Sequence, residues 1–454
     1  MTETVTHLKT MGRKDMVLFT VSAIMLLDTL SSSASIGVSS ITWWVLLGLF
    51  FFVPFALICA EMGCTYPQQG GIYAWIKRAY GSRWASRASW YYWVNTAVWI
   101  PAIYILFAGI FKQLFIPDLS MFAQIAIAIV LTWVAVFVNI VTLNIGKWVP
   151  NMGAIFKIVI FITIIVGAIF HTMESGVANE FSFSEMMPSW NASTQFIPAI
   201  IYGMLGFELV SASSAEMKDP SHDVPRAIFI SGLIIIVLYT LATAAILIAI
   251  PVEEINLVEG LMDTLLLFFG SSQLGIMCAY ALGIAALYTF FSNGVTWAIG
   301  CNRAAAEAAL DGELPAVFGI ETKHRGTPIG ASIAMGIVAT LALVLFGFMS
   351  GSNEDLFWSL FAFSAVIFMI PYLGMILAFV KLRIHDSETP RPFAVPGNHF
   401  VAQIVASVCF IILSFCIVLF VYTPGEGTQW PVLIGAGTMI ILGEIVILMT
   451  EKQS

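Results

Sequence analysis

Four ionisable side chains lie within long apolar stretches of this chain: Asp28, Lys157, Glu208 and Glu444. A charge inside hydrocarbon is costly, so such residues are functional candidates by default. A buried carboxylate can hydrogen-bond an amine or take up a proton, and a buried lysine can neutralise a carboxylate. An interface or packing role suits Glu444, in the last apolar stretch, and also Glu61, near the cytoplasmic end of the second predicted span. The other three residues indicate a site for a polar solute inside a membrane.

A polar interruption at residues 28–37 separates the apolar runs 16–27 and 41–58. In hydrocarbon every backbone group needs a partner, so such a break persists only where it lines a cavity. The interruption predicts open amide N–H groups and a positive half-helix end that favour a substrate carboxylate. Alternatively, its serines only bridge to their own helix backbone. The candidate binding residues are Asp28, Ser31, Ser32, Ser33, Ala34 and Ser35.

A second interruption of the same kind covers residues 202–208. Gly203 and Gly206 allow the backbone to unwind there, and Tyr202 and Glu208 flank them. Glu208 is predicted to bind a substrate amine or a proton, or else to make a structural hydrogen bond to a neighbouring helix. Two breaks in corresponding places of two halves are typical of the substrate site of a transporter.

Two further questions stay open within the apolar stretches. Asp28 either pairs with Lys157, since a lone charge of either sign would be expensive, or faces a substrate amine directly. Tyr92, Tyr202 and Trp297 fall in the middle of apolar segments, where they either wall a solute cavity or take part in ordinary packing.

The composition predicts an all-α integral membrane protein. Hydrophobic residues make up 59% of the 454 residues and charged residues 10%, with mean hydropathy +0.93. A soluble domain carries about 25% charged residues. At about 20 residues per crossing, twelve transmembrane helices are predicted at 16–40, 42–64, 86–115, 120–143, 149–171, 194–215, 226–250, 273–300, 329–350, 356–382, 400–422 and 429–450.

The basic residues predict the orientation of these helices. All but two of the 19 lysines and arginines fall on one side, the exceptions being Lys112 and Lys157. Under the positive-inside rule this side is cytoplasmic, so both termini are predicted there, in a multi-pass protein of the cell membrane. The six cysteines lack metal-ligand spacing, and short connections leave no room for a soluble catalytic domain. We therefore expect no enzyme activity, catalytic residue, metal, cofactor or nucleic-acid partner.

Several stretches resemble the amino acid–polyamine–organocation (APC) transporters over nearly the whole chain, in particular the bacterial glutamate/GABA and arginine/agmatine exchangers. The matching stretches are Ala60-Glu-Met62, Gly70-Gly-Ile-Tyr-Ala-Trp75, Gly203-Met-Leu-Gly-Phe-Glu208, Lys218-Asp-Pro220, Val224-Pro-Arg226, Asn302-Arg-Ala304, Asp311-Gly-Glu-Leu-Pro315 and Gly326-Thr-Pro328.

The resemblance implies a LeuT-type fold in one transmembrane domain, residues 1–454. Residues 16–171 would form the first inverted repeat and 194–382 the second, with two peripheral helices in 400–450. Helices 1 and 6, which contain the two interruptions, would each start one repeat.

Residue roles also follow from the resemblance. Ser32, Ser33 and Ala34 take the place of a glycine-rich unwound motif that contacts substrate carboxylate. Tyr202 corresponds to an aromatic gate and Glu208 to a gating glutamate. Tyr92 aligns with an aromatic residue implicated in proton-linked gating, and Trp297 aligns with one that stacks on the substrate. Lys157 lies about one turn from the lysine that replaces sodium in some relatives.

The sequence thus predicts a secondary transporter of amino acids or their decarboxylated amines that works by alternating access. Exchange or proton coupling is favoured because no sodium site is evident. Sodium-coupled or facilitated uptake of the same solutes is the alternative within transport, and a solute-sensing membrane receptor is the alternative outside it. The expected partners are a small-molecule substrate and the lipid bilayer, with protons as a candidate coupling ion. The sequence indicates no oligomeric state.

Overall fold

The computed structural model describes residues 16–17, 20–21, 24–67, 71–141, 148–208, 220–322 and 326–451. Some predicted features lie outside these residues. They include part of the first and sixth predicted spans, most of the Lys218-Asp-Pro220 motif, and the basic residues Lys9, Arg13, Lys14, Lys147, Lys218, Lys323, Arg325 and Lys452.

The described chain is almost entirely helical. Its α-helices are α1 (Leu30–Ala34), α2 (Ser39–Leu47), α3 (Val53–Thr65), α4 (Ile72–Tyr80), α5 (Ser82–Phe115), α6 (Met121–Val141), α7 (Trp148–Ser175), α8 (Phe183–Met186), α9 (Ile197–Tyr202), α10 (Pro220–Ala249), α11 (Gly260–Phe269), α12 (Gln273–Leu310), α13 (Ile329–Met349), α14 (Asn353–His385), α15 (His399–Val421) and α16 (Trp430–Glu451). A π-helical turn, Gly48–Phe52, joins α2 to α3, and short 3₁₀ turns lie at Ala192–Phe196, Val252–Glu254 and Ala316–Gly319. Strands β1 (Tyr422–Thr423) and β2 (Gly427–Thr428) form an antiparallel hairpin.

Ten helices in the described residues are long and apolar enough to cross a membrane. They are Ser39–Thr65, Ser82–Phe115, Met121–Val141, Asn151–Ser175, His222–Ala249, Gln273–Leu310, Ile329–Met349, Asn353–His385, His399–Val421 and Trp430–Thr450. Each overlaps one predicted span, and helix α12 continues well past its predicted end at residue 300. The two predicted spans without a match, 16–40 and 194–215, are the two interrupted ones.

Helix α5 lies at the centre of the bundle, where it packs most extensively against α14 and α12. By contrast, α6, α7, α15 and α16 display large apolar side chains on their outer surfaces. Examples are Phe137, Phe170, Ile411 and Ile441, each more than half exposed. Soluble proteins rarely expose so many large apolar residues together, and hydrocarbon is the medium in which such a surface is stable.

One end of the bundle is held by ion pairs, and we call it the basic face. It carries Lys77, whose ammonium lies 2.7 Å from the Glu313 carboxylate, and Arg78, whose guanidinium lies 2.9 Å from Asp386. Both cations belong to α4, an amphipathic helix that begins after Gly71 at a φ of 50°. Helix α4 therefore connects the end of α12 to the end of α14.

Candidate functional site between two helix breaks

The first break lies at residues 25–29, between the helical residue Ile24 and helix α1. The hydroxyl of Tyr239, in the middle of α10, accepts a hydrogen bond from the Leu26 N–H and donates one to the Leu26 carbonyl, both at 2.8 Å. Tyr239 is itself fixed, since its ring stacks on Trp44 with centroids 4.9 Å apart. One side chain thus supplies both partners that the unwound backbone needs at this residue.

The second break lies at residues 203–207, directly after α9. Gly206 adopts a φ of +104°, a conformation that residues with a Cβ rarely adopt. A Cβ on Gly206 would also lie 3.1 Å from the Ile24 side chain, which precedes the first break. The two breaks therefore face each other at close range, as predicted for corresponding interruptions in two halves of the chain.

A small cavity lies between the two breaks. It is lined by Ile24, Leu26, Asn95, Trp99, Tyr202, Leu205, Gly206, Trp297 and Phe368. Four of these residues are aromatic, and Trp99 and Trp297 meet edge to face with centroids 5.9 Å apart. Among the polar groups, Asn95 is 2% exposed and its Oδ1 atom has no hydrogen-bond partner. The cavity thus combines aromatic walls with an unsatisfied hydrogen-bond acceptor.

Asp28 lies at the end of the first break, beside this cavity. The Trp99 indole N–H donates a hydrogen bond of 2.8 Å to Asp28 Oδ2, whereas Oδ1 has no partner. Lys157 of α7 is equally buried and lies close enough for its charge to act on Asp28. The structure therefore supports the predicted interaction between these two charges. It also links Asp28 to the cavity through the Trp99 ring.

Glu208 lies at the end of the second break and is 2% exposed. Its Oε1 atom accepts a hydrogen bond of 2.7 Å from the Tyr372 hydroxyl and a longer one of 3.5 Å from the Tyr92 hydroxyl. Its Oε2 atom has no partner. Both tyrosine rings pack on Phe368, which lines the cavity. Glu208 therefore lies one layer of aromatic side chains behind the cavity wall.

The serine-rich segment differs from the prediction. Residues 30–34 are not unwound but form helix α1, directly after the break, and residues 35–38 are again non-helical. Ser31 lies near Gly260 of helix α11, and the Ser35 hydroxyl donates to the Ser31 carbonyl at 2.9 Å. Ser32 and Ser33 are buried, and their hydroxyls have no hydrogen-bond partner. The segment therefore packs above the break, and neither its serines nor Ala34 line the cavity.

Other acidic residues have structural partners. Glu61 accepts hydrogen bonds from Arg383 at 3.0 Å, from Arg391 at 3.2 Å and from the Val395 N–H at 2.7 Å. Glu444 pairs with Arg87 across α16 and α5. These contacts agree with the interface or packing roles expected for both glutamates. In the described residues, no group of three or more His, Cys, Asp or Glu side chains could hold a metal ion.

Sequence reasoning missed three residues of the site: Asn95, Trp99 and Tyr239. Asn95 carried a usable signal, because an amide in the middle of an apolar helix needs a partner just as a charge does. Trp99 and Tyr239 carried none, since aromatic residues are common in such helices. Of the predicted residues, Tyr202, Gly206 and Trp297 line the cavity, and Gly203 lies against Trp44 and Tyr239.

Comparison with known proteins shows the family to which the chain belongs. A sequence model of the amino acid permease family matches residues 12–443. A probable agmatine/putrescine antiporter of Lactococcus lactis is 32% identical, over 95% of this chain and 93% of its own length. A glutamate/gamma-aminobutyrate antiporter of the same organism is 23% identical, over 84% and 77%. A probable polyamine transporter of Arabidopsis thaliana is also 23% identical, over 78% and 67%. The chain therefore belongs to the amino acid permease family.

Proposed function

We propose that this chain is an antiporter that exchanges cationic amines, such as agmatine and putrescine, across the cell membrane. Exchange of amino acids or amines is the activity named for its antiporter relatives, and the relative at 32% identity is named for agmatine and putrescine. The narrower assignment to amines rests on the chemistry of the cavity between the two breaks.

The observation that carries this assignment is the pairing of aromatic walls with the free acceptor of Asn95. An ammonium group gains from the faces of aromatic rings, and more so when water is excluded. Trp99, Tyr202, Trp297 and Phe368 supply these faces. An ammonium N–H can also donate to Asn95 Oδ1, which is buried and unpartnered. Leaving such an acceptor unpaired costs about 1–3 kcal/mol, so a donor is favoured there.

One N–H group of the first break, that of Leu26, is not available to a substrate carboxylate. The exposed N–H group of an unwound helix is the usual partner for such an anion. At Leu26, however, the N–H already donates to the Tyr239 hydroxyl. Asp28, at the end of the same break, would repel a carboxylate. We therefore propose that Leu26 and Asp28 make this end of the break favour solutes without a carboxylate, in contrast to the role predicted for the interruption.

Asp28 and Glu208 are proposed to respond to the charge of the substrate. Each has one oxygen without a partner, and each touches an aromatic residue of the cavity or of the layer behind it. Lys157 would offset the charge of Asp28 when no cation is bound. Glu208, held by Tyr92 and Tyr372, would gate the cavity or take up a proton.

The wider architecture is proposed from the family resemblance. Ten long helices and two interrupted segments would make twelve crossings, arranged as inverted repeats at 16–171 and 194–382 with peripheral helices in 400–450. Rocking of the repeats about the two breaks would expose the cavity to each side in turn. The excess of lysine and arginine on the basic face would place both termini in the cytoplasm.

A competition assay tests the proposed substrate class. Proteoliposomes preloaded with unlabelled putrescine would take up labelled putrescine in the presence of neutral, acidic, basic and diamine competitors. We expect diamines and agmatine to compete best and glutamate not to compete. Competition by glutamate or neutral amino acids, with none by amines, would show that the substrate class is wrong. A flux that needs sodium, and needs no internal solute, would instead indicate sodium-coupled uptake.

A further inference from the structure

Two motifs singled out in the sequence play no part in the proposed transport site. They are Asn302-Arg-Ala304, on α12, and Gly326-Thr-Pro328, which leads into α13. The structure brings them together at a second small cavity, which Asn139 of α6 closes from a third side. This cavity lies towards the basic face, because α12 continues from it to the segment that pairs with Lys77.

Asn139 shows that the cavity is built for a polar ligand. Its side chain is 5% exposed, and neither its Nδ2 nor its Oδ1 atom has a hydrogen-bond partner. A buried amide with no partner costs about 1–3 kcal/mol, so we expect a ligand to supply the missing hydrogen-bond partner. Nearby, the hydroxyl of Thr327 donates to the Ile140 carbonyl and that of Ser332 to the Pro328 carbonyl. Both hydroxyl protons are thus engaged, and the Ser332 oxygen already accepts from the Asn302 amide at 3.2 Å. The Asn139 amide N–H, by contrast, can still donate to a ligand.

The charge around the cavity is positive. Arg303 lines it, and neither an ion pair nor a hydrogen bond joins its guanidinium to another described residue. Helix α13, of 21 residues, begins at Ile329 directly behind the cavity. The start of a helix carries a partial positive charge and favours an anion. Arginine also matches the geometry of a phosphate with its paired donors.

We propose that this cavity receives one phosphoryl oxygen of an anionic ligand, which accepts a hydrogen bond from the Asn139 amide while the phosphate faces Arg303 and the partial positive charge at the start of α13. The cavity is too small for an amino acid, but a phosphoryl oxygen is about the size of a water molecule and fits it. The phosphate belongs either to a lipid headgroup at the membrane surface or to a soluble phosphate. Basic cavities between transmembrane helices on the cytoplasmic side are suited to lipid headgroups.

Native mass spectrometry of the intact protein in detergent tests this site. The probes are phosphatidylglycerol, diacylglycerol with the same acyl chains but no phosphate, and inorganic phosphate. We expect phosphatidylglycerol to bind the wild type and diacylglycerol not to bind at this site. Arg303→Gln and Asn139→Leu should each weaken binding about tenfold, as expected when one charge-assisted or buried hydrogen bond is lost. Arg303→Lys should restore part of it.

Arg226→Gln is the matched control, because Arg226 is an exposed arginine on α10 that does not line the cavity. It should bind phosphatidylglycerol as the wild type does. Inorganic phosphate that binds with the same dependence on Arg303, while the lipid does not, would identify a soluble ligand. Equal loss in Arg303→Gln and Arg226→Gln, or no loss in either, would overturn the proposal and leave a cavity that holds water only. Thermal unfolding without lipid checks that each variant is folded.

Discussion

Glu61 and Glu208 are equally buried, at 2% exposed, but their surroundings differ completely. At the basic face, two arginines and a backbone N–H satisfy both oxygens of Glu61. In the middle of the bundle, two tyrosines reach one oxygen of Glu208 and the other has no partner. A fully paired carboxylate has nothing left to bind, so it stabilises the fold. A half-paired one keeps the capacity to respond to a substrate or a proton.

Asp28 is like Glu208 in that it is buried and only one of its carboxylate oxygens has a hydrogen-bond partner. Its Oδ2 atom is held by Trp99, its Oδ1 atom is unpartnered, and the nearby charge of Lys157 acts on it. Both half-paired carboxylates follow directly from helix breaks, whereas Glu61 lies within the regular helix α3. The difference indicates that the breaks serve to place half-paired carboxylates inside the membrane.

The largest effect is expected from Glu61→Gln. Removing one partner of a buried ion pair leaves an uncompensated charge, here on Arg383 and Arg391, and costs about 3–5 kcal/mol of unfolding free energy. Denaturant unfolding in detergent would measure the loss. Glu444→Gln is the matched control, because this glutamate pairs with Arg87 at a half-exposed site and should cost only about 0–1 kcal/mol. Equal losses in the two variants would contradict the structural role assigned to Glu61.

Glu208→Gln and Asp28→Asn should impair transport and leave stability almost unchanged, the reverse of Glu61→Gln. Each change keeps the size of the side chain and removes a charge, so the rate of amine exchange should fall by about 10- to 100-fold, the effect of losing a charge-assisted hydrogen bond. Thermal stability should stay close to that of the wild type. Amine exchange rates measured in proteoliposomes across a range of pH test the predicted loss of transport. An unchanged rate and pH profile in Glu208→Gln would leave this residue with a structural role.

Tyr239→Phe tests whether the first break disfavours carboxylates through the Tyr239 hydroxyl. Losing the hydroxyl leaves the N–H and carbonyl of Leu26 without their shared partner, at a cost of about 1–3 kcal/mol. It also frees the N–H to bind an anion. We therefore expect amine exchange to weaken while competition by carboxylate-bearing solutes, such as glutamate, increases. A uniform loss for all solutes would mean that Tyr239 only holds the backbone.

Gly206→Ala, with a cost in the same range as Tyr239→Phe, tests the contact between the two breaks. The backbone conformation of Gly206 disfavours any other residue, with a cost of about 1–3 kcal/mol. An added Cβ would also press on Ile24. Gly203→Ala is the matched control, since a Cβ there would meet Trp44 at an ordinary 3.4 Å and no positive φ is involved. Thermal unfolding should rank Gly206→Ala as clearly less stable than Gly203→Ala.

Hydropathy alone predicted ten helices that the structure contains, because the length of a membrane crossing limits the possible boundaries. It also placed the second break correctly, where Gly203 and Gly206 mark it. The first break begins three residues before its predicted start at Asp28, and helix α1 divides the predicted interruption, which is non-helical again at residues 35–37. Polar residues drew attention to the serines, yet serine can bond back to its own helix, as Ser35 does to Ser31. The backbone opens instead at Leu26, where a distant tyrosine supplies its partner.

The partners of the buried carboxylates could not be predicted from the sequence. Arg383 and Arg391 lie more than 300 residues along the chain from Glu61, and Tyr372 lies 164 residues from Glu208. No local pattern links such positions, since only the packing of α3, α14 and the second break brings them together. Asn95 carried a local signal, but its free acceptor has meaning only beside the aromatic residues that α9, α12 and α14 contribute.

Efflux of labelled putrescine from proteoliposomes, with and without unlabelled solutes outside, is the most direct test of the amine site between the breaks. External putrescine or agmatine should accelerate efflux through the wild type, whereas external glutamate should not. The acceleration should disappear in Asn95→Leu, which lacks the free acceptor, and should persist in folded Glu61→Gln. Acceleration by glutamate alone, or wild-type exchange of amines in Asn95→Leu, would contradict an amine site in this cavity.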